Sequence, residues 1–310
     1  MAYRALVTLT VLVPDEFGVE TLSQVDGVRP VLYQPGQPLP AEAADAEVLV
    51  PRFLAGTTFA DLLAQLPKLR LVQLLSAGAE NFVGQLPDGV QLATARGAHG
   101  GSTAEWVLAA LLSIYREFPV FDRARQEHRW DYHATDTLQG KRVLVVGAGD
   151  LGEQVRRRLS AFDAESTLVG RTSRPGVYGV ADLPELLGDH DAVVLVVPLT
   201  SETRGMVDAG FLARMPDNAV LVNAARGAVV DTDALIAELT AGRLRAALDV
   251  TDPEPLPAEH PLWRAPGLLL TPHVAGSCRG QQERSYRVAA EQVAQFAAGR
   301  EPSNLVRGEY

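Results

Sequence analysis

The clearest apolar runs along the chain are residues 6–13, 48–50, 71–75, 143–146, 167–169, 192–197, 219–222, 246–250 and 268–270. They are mostly continuous rather than alternating, and each is followed by glycine, proline or a polar residue. A strand with one wet face alternates in polarity, whereas a strand buried on both faces does not. The runs therefore predict strands of parallel sheets with helices on both sides. Longer amphipathic stretches separate them, which makes the fold class α/β.

The pattern changes at Arg96-Gly97-Ala98-His99-Gly100-Gly101. The next stretch, STAEWVLAALLSIYREF, opens with Ser102-x-x-Glu105, the spacing of a capping box. Its apolar density from Trp106 to Phe118 predicts one long helix buried on more than one side. Near the other end, Ala275-Gly276-Ser277 precedes an amphipathic stretch over 281–298. These two breaks read as hinges of an inserted domain. The expected domains are 1–98 together with 275–310, and 99–274; a length of 310 residues also favours two cores over one.

Composition narrows the partners. A net charge of -10 and a pI near 5.1 argue against nucleic acid or an anionic membrane as a general partner, since both demand a positive surface. The single cysteine, Cys278, cannot form an internal disulfide, which suits a reducing compartment. The N-terminal MAYRALVTLTVLVPDEF is stopped by Pro14-Asp15-Glu16 and reads as a first strand rather than a signal; no apolar stretch has the length of a membrane span. A cytoplasmic protein is expected.

The chemistry begins where run 143–146 enters Gly147-Ala148-Gly149-Asp150-Leu151-Gly152 and then a helical stretch over 153–162. GxGxxG alone is weak, but here a buried strand precedes it and a helix follows. In that setting the first glycine permits a tight turn, the second lets backbone approach a pyrophosphate, and the third lets helix and strand pack closely. Free N–H groups at the helix start then face the phosphates. In NAD-binding loops the next strand ends in Asp or Glu for the adenosine ribose. This chain has Gly170 there, followed by Arg171-Thr172-Ser173-Arg174. No carboxylate repels a 2′-phosphate and two guanidiniums can pair with it, each charge-assisted bond contributing roughly 1.5–3 kcal/mol. NADP(H) is expected to be favoured over NAD(H).

Three polar residues follow three successive apolar runs: Arg226 after 219–222, Glu254 after 246–250, and His273 after 268–270. Ligands bind outside the carboxyl ends of strands in open parallel sheets, so the three can share a pocket. Together, GAGDLG, MPDNAVLVNAARGAVVDTDAL, LDVTDPEPLP and TPHVAG resemble the D-isomer-specific 2-hydroxyacid dehydrogenases, in the same order from about residue 72 to 298. The resemblance implies a flavodoxin-like substrate domain around an inserted Rossmann-type doubly wound sheet, a cleft active site, and a homodimer. The implied substrate is a small 2-oxo or 2-hydroxy acid, with the glyoxylate/hydroxypyruvate reductase branch favoured by the cofactor loop.

The resemblance also assigns roles. Arg226 would fork to the substrate carboxylate and ketone oxygen, His273 would act as acid and base, and Glu254 would stabilise its imidazolium. Ser76, Ala77 and Gly78 match the turn whose backbone N–H groups meet the substrate carboxylate. Asp249 matches the acid that contacts the nicotinamide amide, and Thr103, Pro198, Thr203 and Ala224 match other cofactor positions. Val196 and Thr251 depart from the family's common histidine and aromatic. No residue cluster has metal-ligand spacing. Phe53, Leu75, Trp130 and Trp263 are candidates for the pocket wall, equally readable as core. A dinucleotide-sensing binding protein on the same fold is the alternative to an enzyme, because corepressors of this kind can keep the triad.

Overall fold

The computed structural model describes residues 8–52 and 57–308; the start of the first apolar run and Phe53 lie outside them. The chain divides into two compact units, Met1–His99 with Arg279–Tyr310, and Gly100–Cys278.

The first unit runs through β1 (Leu9–Val13), α1 (Glu16–Leu22), β2 (Val28–Leu32), β3 (Val48–Leu49), α2 (Thr57–Ala64), β4 (Leu71–Gln73) and β5 (Gln91–Ala93). Among the described residues these strands form one parallel sheet in the order β2-β1-β3-β4-β5, the flavodoxin-like order.

The second unit comprises α3 (Gly100–Tyr115), α4 (Phe118–Gln126), β6 (Arg142–Val146), α5 (Asp150–Ser160), β7 (Glu165–Gly170), β8 (Tyr178–Gly179) and α6 (Leu183–Leu186). It continues with β9 (Ala192–Leu195), α7 (Ala209–Arg214), β10 (Val220–Asn223), α8 (Thr232–Thr240), β11 (Arg245–Leu248) and β12 (Leu268–Leu270). Its parallel sheet has the order β12-β11-β10-β9-β6-β7-β8. The chain winds outward from β6 to β8, then returns to β9 and winds the other way, as in a Rossmann-type sheet. The first unit is completed by α9 (Gln281–Ala297).

Burial explains the continuous apolar runs. In β6, Val143 and Val145 pack on one face with Val107 and Leu111 of α3 and Val155 and Leu159 of α5. Leu144 and Val146 point the other way, into a cluster with Leu212 of α7 and Leu235 and Leu239 of α8. Each such side chain contributes about 1.5–3 kcal/mol, so neither face tolerates polar residues.

Among the described residues, three strands escape the run pattern: β2, β5 and β8. All three lie at sheet edges. The β2 sequence VRPVL is half-buried throughout apart from exposed Arg29, and an edge strand can hold a proline, here Pro30, whose missing N–H would break an interior ladder.

The expected long helix also differs. It starts at Gly100, so Ser102 and Glu105 lie inside its first turns rather than at its N-cap position. It ends at Tyr115, and Glu117, with a φ of 52°, precedes the separate helix α4. Among the described residues no helix is long and apolar enough to cross a membrane.

Candidate active site

The glycine loop between β6 and α5 assigns each glycine a physical task. Gly147 has a φ of +122°, and a Cβ there would overlap the Val196 carbonyl. A Cβ on Gly152 would overlap the Gly147 carbonyl, so close packing of α5 on the loop requires its absence. A Cβ on Gly149 would meet nothing within 4 Å: this position faces open space rather than protein. The start of α5 also lacks a side-chain cap, whereas α1, α7 and α8 are capped by Asp15, Asp208 and Asp231. An open backbone edge and uncapped N–H groups are what a pyrophosphate requires, so the loop fits the expected dinucleotide. Asp150 and Leu151, both half-buried, form the first turn of α5.

Gly170 ends β7, next to β6, and the 171–174 segment turns back toward the glycine loop. Arg174 Nη2 donates to the Ala148 carbonyl at 2.8 Å, which fixes a guanidinium beside that loop. Arg171 lies 3.6 Å from Glu202 through Nε and Oε2, with both side chains mostly exposed. Thr172 and Ser173 are exposed between them. The segment thus presents two guanidiniums and two hydroxyls beside the loop, a donor set suited to a phosphate.

Arg226, Glu254 and His273 follow β10, β11 and β12, which are successive neighbours in the sheet. The loop carrying Arg226 is held by buried Asn223, whose Oδ1 accepts from Ala225 N at 3.0 Å and whose Nδ2 donates to the Arg226 carbonyl at 3.0 Å. A Cβ on Gly227 would overlap the Thr251 carbonyl, so this loop packs backbone to backbone against the segment leading to Glu254. Half-buried Arg226 also donates from Nη1 to the Ala225 carbonyl at 2.7 Å.

His273 Nδ1 lies 2.6 Å from Glu254 Oε1, and both side chains are about 40% exposed, at 40% and 41%. The histidine backbone is left-handed, with a φ of 55°, an uncommon conformation for a residue with a Cβ. The surrounding bonds impose it. His273 N donates to the Asp249 carbonyl at 2.7 Å. The Asp249 carboxylate, 2% exposed, accepts from Thr271 Oγ1, Val274 N and Ala275 N at 2.7, 2.8 and 2.9 Å. Asp249 therefore anchors the whole 271–275 turn. Sequence reasoning missed this, together with the latches formed by Asn223 and Gly227. A buried-looking acid at the end of a run, with hydroxyl and small residues 22 to 26 positions on, was the available signal.

The other expected positions fall as follows. Thr203 Oγ1 donates to the Pro198 carbonyl at 2.6 Å and accepts from Thr200 N at 2.8 Å, closing the loop after β9 on itself. Thr103 is buried in α3, and Ala224 is half-buried beside Asn223. Ser76, Ala77 and Gly78 are half-buried after β4 in the first unit, with Ser76 Oγ donating to the Gly78 carbonyl at 2.8 Å. Trp130 is 94% exposed, so it is no part of the core of its own unit. Trp263 lines a shallow depression with Ile236 and His260.

A family model described as D-isomer specific 2-hydroxyacid dehydrogenase, NAD binding domain, matches residues 108–275. A glyoxylate reductase from Aeropyrum pernix is 31% identical over 89% of this chain and 88% of its own length. A D-3-phosphoglycerate dehydrogenase from Mycobacterium bovis is 33% identical over 93% of this chain; the chain spans only 57% of that protein's length. Among solved structures, a D-isomer specific 2-hydroxyacid dehydrogenase from Xanthobacter autotrophicus Py2, in complex with NADPH and MES, superposes with a TM-score of 0.83. It is 30% identical, and the superposition covers 97% of this chain and 98% of that one.

Proposed function

The chain belongs to the D-isomer specific 2-hydroxyacid dehydrogenase family, and from that premise we propose that it reduces a small 2-oxo acid to the D-2-hydroxy acid, using NADPH in preference to NADH. The observation that carries this reading is the short His273–Glu254 hydrogen bond beside the Arg226 loop, at the ends of three neighbouring strands.

Gly147, Gly149, Gly152 and the start of α5 would hold the cofactor pyrophosphate, with Arg171, Thr172, Ser173 and Arg174 on the 2′-phosphate. Bound NADPH supplies the hydride. Arg226 orients the acid through its planar fork and polarises the ketone oxygen. Glu254 holds His273 through Nδ1, which leaves Nε2 as the nitrogen that gives its proton to the oxygen as alkoxide character develops. In the oxidation direction the same nitrogen takes the proton back. Asp249 keeps the histidine turn in place.

Glyoxylate and hydroxypyruvate lead as substrates. The name of the Aeropyrum pernix relative supports glyoxylate, and the NADPH held by the Xanthobacter structure supports the cofactor. A second copy of the chain is the proposed partner, in line with the exposure of Trp130 and Tyr132 at 94% and 90%.

The test is a panel of 2-oxo acids assayed at the nicotinamide absorbance with NADPH and NADH. Turnover of the small acids, with kcat/KM about ten-fold or more higher for NADPH, is expected. A preference for NADH would overturn the cofactor assignment. Dinucleotide binding without turnover of any acid would favour a sensing protein.

A further inference from the structure

The ion pair between Arg171 and Glu202 takes no part in the chemistry above. Arg171 follows β7, Glu202 lies in the loop after β9, and β6 runs between those two strands. The pair therefore reaches across the carboxyl end of the strand that feeds the glycine loop. The two arginines of the segment are held differently. Arg174 is fixed by a backbone carbonyl of the glycine loop, a neutral partner, and among the described residues no carboxylate is paired with it. Arg171 is matched by a full negative charge. At 3.6 Å, with side chains 67% and 70% exposed, that match is weak and readily exchanged. A phosphate with close to two negative charges forms the stronger pair with a guanidinium.

We propose that Glu202 is the counter-ion that a nucleotide 2′-phosphate must displace from Arg171, and that it thereby limits how strongly the chain prefers NADP(H). The proposal rests on the NADP reading above. A nucleotide with a free 2′-hydroxyl leaves the ion pair intact. A 2′-phosphorylated nucleotide breaks it and then sits near a carboxylate of like charge. Glu202 thus weakens NADP(H) selectively and eases its release after turnover.

Calorimetric titration of the full chain with NADP+ and with NAD+, at one fixed ionic strength, tests this. Glu202→Gln keeps the side chain's size and removes its charge. It should tighten NADP+ about three- to ten-fold while moving NAD+ less than about two-fold. In an Arg171→Ala background the gain for NADP+ should shrink, as expected of coupled residues. Equal shifts for both nucleotides, no tightening of NADP+, or an undiminished gain without Arg171 would each overturn the role of Glu202. Failure of the underlying reading looks different: Arg171→Ala and Arg174→Ala would both leave the NADP+ to NAD+ ratio unchanged.

Discussion

His273 and Glu254 stand 19 residues apart, yet the imidazole Nδ1 and the carboxylate Oε1 meet at 2.6 Å. Their strands, β12 and β11, are adjacent and parallel, so the turns that follow them emerge side by side. Replacing the histidine tests the proton transfer this contact supports. His273→Gln should lower kcat for 2-oxo acid reduction by roughly 10²–10⁴ with little change in NADPH affinity, measured by steady-state kinetics and nicotinamide fluorescence. Near-normal turnover would remove His273 from that role.

Arg226 should affect binding and chemistry together. It would grip the ground-state carboxylate and also the oxygen where charge develops. Arg226→Ala is expected to raise the KM for the acid and lower kcat. An unchanged KM would argue against contact with the carboxylate. Arg226→Lys should restore little, because an ammonium cannot fork.

The glycines separate folding from cofactor binding. Gly149→Ala places its methyl in open space, so stability should change by no more than about 0.5 kcal/mol while dinucleotide affinity falls. Gly152→Ala drives a methyl into the Gly147 carbonyl and should cost about 1–3 kcal/mol as well as weakening the cofactor. Chemical denaturation paired with calorimetric titration distinguishes the two. Full cofactor affinity in Gly149→Ala would show that the cofactor does not approach that backbone.

The pH dependence of stability has an identifiable contributor in the first unit. Burial holds the His99 imidazole below its ordinary value of 6.5, outweighing the Leu75 carbonyl, which pulls it upward; the Arg284 charge reinforces the burial. As pH falls through 6.5 the unfolded chain takes up this proton before the folded one. The unfolded state then binds more protons, so stability falls with falling pH until the folded form protonates as well. Melting temperatures between pH 7.5 and 5 should therefore decline less steeply in His99→Gln than in the parent chain. Equal slopes would mean that His99 titrates alike in both states.

Local pattern alone determined the buried strands, the glycine loop and the strand-end placement of Arg226, Glu254 and His273, because each depends on neighbours within a few residues. A strand buried on both faces must be apolar at successive positions, and a loop cradling phosphate must lack side chains at set spacings. The edge strands β2, β5 and β8 stayed hidden because an edge relaxes that demand. The contacts that give the site its shape belong to the tertiary structure: Asp249 beneath the histidine turn, Gly227 against Thr251, Arg174 on Ala148, Glu202 facing Arg171. Each joins loops from different strands, and which loops meet depends on the order of strands in the sheet. That order follows from packing the whole chain, and no local window of residues contains it.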